Sequence, residues 1–75
     1  MKLKPDINIP KFLLSVSECS GTVRFVTPEG DDLNLKSALS QFIFAAVIGA
    51  KLQDFNGDVI VENDEDLHLL KRFCS

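Results

Sequence analysis

The stretch Thr22-Val23-Arg24-Phe25-Val26-Thr27, then Pro28-Glu29-Gly30-Asp31, then Asp32-Leu33-Asn34-Leu35-Lys36 decides the fold. Val23 and Phe25 fall on one side of an extended chain and Arg24 and Val26 on the other, the period of two that suits a strand. Pro28 is pre-set for the second position of a turn. The segment 32–36 alternates again. Two short strands around a tight turn make a β-hairpin, with Leu33 and Leu35 expected on the core face beside Val23 and Phe25. An all-helical chain does not fit this alternation, nor the apolar, β-branched run Val59-Ile60-Val61.

Helix signals flank the hairpin. Asn8-Ile9-Pro10 reads as a helix start, with Asn8 as cap and Pro10 in the first turn, where its missing N–H costs nothing. Phe12, Leu13, Val16 and Cys19 follow at helical spacing, and Gly21 is expected to end the segment. Ser37 opens a second helix, predicted over residues 38 to 52, and its side-chain oxygen is expected to cap the free N–H groups. Asn56-Gly57 signals a turn. Val59-Ile60-Val61 is expected to be a central strand buried on both faces. Asn63-Asp64-Glu65-Asp66 opens a last helix, with Lys71 and Arg72 near its end, both signs favourable to the helix dipole. Its buried face is read as Leu67, Leu70, Phe73 and Cys74. The expected class is α+β, a small antiparallel sheet with helices packed on one face.

Seventy-five residues, 8.3 kDa, make one domain, here read as 1–75. Hydrophobic residues at 45% and charged residues at 25% are ordinary globular composition and argue against a disordered chain. A formal net charge of -3 argues against a nucleic-acid partner, which would call for a basic excess. One His and two Cys leave too few ligands for an intramolecular metal site, and no cofactor is expected. The longest apolar run, Phe42 to Ala50, falls well short of the roughly 20 residues a membrane span needs. Met1-Lys2-Leu3-Lys4-Pro5-Asp6 has no apolar segment behind it that would make a signal peptide. A soluble, cytoplasmic protein with no membrane partner is therefore expected, with Cys19 and Cys74 as small, reduced, buried hydrophobes.

Little in the sequence looks like catalysis. His68, between Leu67 and Leu69, is the lone histidine, and no Ser or Cys is positioned by sequence as its partner. Asp54-Phe55-Asn56-Gly57-Asp58 with Glu65 imitates a calcium loop, but Val59 stands where the loop needs glycine. The acidic run from Glu62 to Asp66 reads as a helix cap and a solvated face. The informative excess is the second helix, which is apolar around most of its circumference. Leu39, Phe42, Ile43, Ala46 and Ala50 form one stripe, and Phe44, Val47 and Ile48 spread beyond it. A domain this small cannot bury all of these faces, so some are expected to be exposed and to mark an interaction site. The expected partner-binding residues are Ser37, Leu39, Phe42, Ile43, Ala46 and Val47, facing a protein partner or a second copy of the chain.

The segment Gly21 to Thr27, the turn through Gly30, and Leu33-Asn34-Leu35-Lys36-Ser37-Ala38-Leu39 resemble the histidine phosphocarrier HPr family. That family runs helix, hairpin, an Asn-Leu-Lys-Ser type sequence opening an apolar helix, another strand, and a last helix introduced by acidic residues. The likeness is one of element order and one short motif, Asn34-Leu35-Lys36-Ser37, over roughly residues 10–73. The family's phosphorylated histidine precedes its first helix in a His-Ala-Arg-Pro type sequence. Here that stretch is Ile7-Asn8-Ile9-Pro10, so neither the histidine nor the arginine is present. The N-terminal strand is shortened, which would leave a sheet edge open, and the stretch from Ser37 to Val59 is longer than the family's. The resemblance implies a non-catalytic regulatory or adaptor domain rather than a phosphocarrier. It further implies a regulatory phosphorylation site at Ser37 and a docking surface on the helix that follows. The alternatives are a self-associating structural or phage-type protein, and a degenerate phosphocarrier that uses His68.

Overall fold

The computed structural model describes residues 1–48 and 57–74, the side chains of Val47 and Ile48 apart. The predicted turn at Asn56, the far end of the second helix and the calcium-like stretch at Asp54 lie outside the described residues. The elements run α1 (Ile9–Glu18), β1 (Val23–Val26), β2 (Asp32–Asn34), α2 (Ala38–Ile43), a π-helical turn (Phe44–Ile48), β3 (Asp58–Val61), a 3₁₀ turn (Asp64–Asp66), α3 (Leu67–Leu70) and a closing 3₁₀ turn (Lys71–Phe73). The class is α+β, with a three-stranded antiparallel sheet in the order β2-β1-β3.

The helix α1 starts where the sequence places it. Asn8 is extended, and its Oδ1 accepts the Lys11 N–H at 3.1 Å. The helix ends at Glu18, earlier than the glycine signal suggested, with Cys19 already extended. Gly21 serves a different purpose. A side chain there would meet Asn63 Nδ2 at 2.8 Å, so the residue is needed for close approach and not as a left-handed cap.

The hairpin pairs Phe25 with Leu33 and Arg24 with Asn34. Its loop is Pro28-Glu29-Gly30. Gly30 N–H bonds to the Thr27 carbonyl at 3.1 Å, Thr27 N–H bonds to the Asp31 carbonyl at 2.9 Å, and Gly30 takes φ 103°. A three-residue loop with glycine in the left-handed region closes the ribbon with the right twist. Across the outer face, Arg24 forms a two-armed ion pair with Asp32, which holds the Asp32 carboxyl below its usual range.

Alternation then sorts the two faces of the sheet. Val23, Phe25, Leu35 and Val59 are buried with Phe12, Val16, Phe44, Leu70 and Phe73, so the helices cover one face. Arg24, Asp32, Asn34 and Ile60 lie on the other, in solvent. Contrary to the expectation of a central, doubly buried strand, β3 lies at the side of β1 away from β2 and exposes Ile60. The central strand is β1, with no layer over the second face of the sheet among the described residues. The shortened N-terminus does reach β3: Lys2 forms an antiparallel bridge with Asp58, and Val59 N–H bonds to the Met1 carbonyl at 2.7 Å.

Three phenylalanine contacts among the described residues knit the core. Phe12 on α1 lies 5.7 Å from Phe44 and 5.4 Å from Phe73, and Phe25 on β1 meets Phe44 edge-on at 5.2 Å. Each such pair contributes about 0.5–1.5 kcal/mol beyond area burial. Phe44 therefore joins the first helix, the sheet and the second helix at one point.

Candidate functional site

The segment Asn34-Leu35-Lys36-Ser37 builds the entry to α2, each residue by a separate contact. Asn34 Oδ1 accepts the Lys36 N–H at 3.0 Å, and the Asn34 carbonyl accepts the Ser37 N–H at 3.0 Å, which turns the chain out of β2. Leu35 fills the core. Lys36 Nζ donates to the carbonyls of Cys19, Ser17 and Val16 at 2.5, 3.4 and 3.5 Å, placing a cation on the negative end of α1. Ser37 takes the N-cap position, with extended backbone and its carbonyl accepting the Gln41 N–H at 2.9 Å. The expected side-chain cap is not made. The Ser37 hydroxyl gives α2 no capping bond, and the residue is exposed.

The helix that follows is turned inside out. Leu39 is 69% exposed and Phe42 70%, with Ile43 and Ala46 also on the outside. Ser40 and Gln41 are the half-buried positions, and Gln41 Nε2 donates to the Leu35 carbonyl at 2.8 Å. No residue of α2 is buried. Among the described residues of this segment, the core is entered at Phe44, where the backbone passes into the π-helical turn. A π turn carries more residues per turn than an α-helix, so it rephases the side chains that follow. Of the expected contact residues, Ser37, Leu39, Phe42, Ile43 and Ala46 are all exposed on this segment. The side chain of Val47 lies outside the described residues. Residues 37–46 contain no ionisable side chain, so the face is uncharged.

No family model matches this chain, and no curated protein or solved structure matches it.

His68 is exposed on α3, and its Nδ1 bonds to the Glu65 carbonyl. A carbonyl only accepts, so Nδ1 carries the proton and, in a neutral ring, Nε2 keeps its lone pair. No hydroxyl or thiol is bonded to it among the described residues. Cys19 is buried, its Sγ donating to the Ser15 carbonyl at 3.4 Å, and Cys74 is half-buried; both are free thiols. Burial pushes both thiols up from their ordinary value, and the Asp66 carboxylate adds to the effect on Cys19. Neither environment favours a nucleophilic thiolate. Among the described residues, no three His, Cys, Asp or Glu side chains are placed to share a metal, and no helix is long and apolar enough to cross a membrane.

Asp66, at the end of the acidic run expected to be solvated, is instead a buried residue. Its carboxylate accepts the Ser20 N–H at 3.0 Å, the Gly21 N–H at 2.9 Å and the Ser20 hydroxyl at 3.2 Å. The backbone N–H bonds from Ser20 and Gly21 hold its carboxyl below the usual carboxylate range. Glu65 and Asn63 add bonds to the same serine hydroxyl. This cluster ties the α1–β1 corner to the last helix and is structural. The sequence signal was an Asp at a helix start, while its partners lie some 45 positions away.

Proposed function

We propose that this chain is a non-catalytic protein-binding domain of the regulatory or adaptor kind, docking through the exposed face of α2. One observation carries the reading: Leu39, Phe42, Ile43 and Ala46 point outward while Ser40 and Gln41 turn inward. A helix in a small domain ordinarily does the reverse, because burying a Phe or Leu side chain stabilises by about 1.5–3 kcal/mol. An apolar face left in solvent at that cost suits a surface that a partner covers. Within α2, Leu39, Phe42 and Ile43 keep the i, i+3, i+4 spacing by which an apolar helix face anchors in a partner, and Ala46 in the π-helical turn extends the exposed apolar surface. The face carries no charge, so the partner's matching surface is apolar.

The likeness to the HPr family supports the same face, through the order of elements and the Asn34-Leu35-Lys36-Ser37 entry. Ser37 is the proposed switch. Its hydroxyl is exposed and makes no capping bond, and a phosphate there would set negative charge beside the apolar face.

The test compares wild type with Phe42→Asp, both first shown to be folded by circular dichroism. Affinity capture from native lysate is expected to retain a partner with wild type and lose it with Phe42→Asp. Sedimentation of the purified protein over a range of concentrations accompanies it. A mass that rises with concentration in wild type alone would assign the face to a second copy of the chain. A monomer whose captured proteins are the same in both variants would overturn the reading.

A further inference from the structure

We draw no further inference here: the strongest candidate, a contact between two copies of the chain through the uncharged outer face of α2 at Leu39, Phe42 and Ile43, belongs to the site already described, and nothing in the structure shows what covers that face.

Discussion

Helices α1 and α2 are both rich in apolar residues, yet they seat them in opposite ways. α1 turns Phe12 and Val16 into the core and leaves Lys11, Ser17 and Glu18 outside, with Leu14 its one large apolar side chain in solvent and Ser15 buried. α2 buries nothing, holds Ser40 and Gln41 half inside, and leaves Leu39 and Phe42 in solvent. Their anchors explain the contrast. α1 is fixed by an Asn8 cap at one end and by Lys36 on its last carbonyls at the other, so its amphipathic stripe determines which way it faces. The seating of α2 is set by its ends. Leu35 is buried in front of it, Gln41 is bonded back to the Leu35 carbonyl, and Phe44 is buried behind it. With those points held, the bulky residues between them face outward. Apolar content alone does not say which side of a helix is the inside.

The contrast between the two helices is tested most directly at Phe42 and Phe44, two residues apart. Phe44→Ala removes the ring that touches both Phe12 and Phe25 and is expected to cost about 3–5 kcal/mol. In a domain of this size that leaves much of the population unfolded, which urea denaturation followed by circular dichroism reads directly. A loss no greater than that of a surface variant would mean that α2 is not anchored through Phe44.

Gly57→Ala follows in size. The added methyl would run into the tip of the Phe25 ring, at its Cζ and Cε atoms, and that ring is fully buried in the core. Overpacking of this kind is expected to cost about 1–3 kcal/mol. A thermal midpoint equal to that of wild type would show that the β1–β3 packing gives way more easily than the structure indicates.

The corner held by Asp66 should appear in the pH dependence. Its folded carboxyl lies below the unfolded value of about 3.9. Its contribution is therefore fully present above that value and is lost as pH falls through the lower folded one. Asp66→Asn is expected to be less stable at neutral pH and to show a shallower fall in stability below about pH 4. Asp32, lowered by Arg24, shapes the same acid limb, so the difference between the two proteins isolates Asp66. Parallel curves would mean that the Ser20 and Gly21 N–H bonds do not distinguish the charged carboxylate.

The smallest effect is expected at Phe42 itself. A side chain 70% exposed has little packing to lose, so Phe42→Ser should change stability by no more than about 0.5 kcal/mol. Set beside Phe44→Ala, that near-silence would be the direct sign of an outward-facing aromatic. A loss of several kcal/mol would place Phe42 in the core and remove the proposed docking face.

Local signals in the chain were legible where the physics is local. The Asn8 cap, the Pro28–Gly30 loop and the Val23/Phe25 alternation each depend on neighbours a few positions away, and each is found in the structure. The expectation of exposed apolar residues after Ser37 also rested on sequence, as a statement about how much a small core can hold. The expected contact residues left Phe44 out, and Ser37, Leu39, Phe42, Ile43 and Ala46 are exposed in the structure; what the sequence did not show is the packing that holds Phe44 inside. The stripe Leu39-Phe42-Ile43 and the lone Phe44 are equally apolar, and the choice between them was made by the sheet and by Phe12. Ser37 shows the opposite limit. Its residue type suits a side-chain cap, yet the turn built by Asn34 and Lys36 places it so that only its backbone takes part.

Read by itself, the chain determined its class, its hairpin, the starts of its helices and the surplus of apolar side chains in the second one. These follow from backbone preferences and from periodicity along a few residues. Only the tertiary structure decided that β1 and not β3 is central, that Asp66 closes a buried corner with Ser20 and Gly21, and that Phe44 enters the core while Phe42 does not. Each of those outcomes depends on groups distant in sequence competing for one small volume. No local pattern encodes the winner, because a close-packed interior has room for only one arrangement of them.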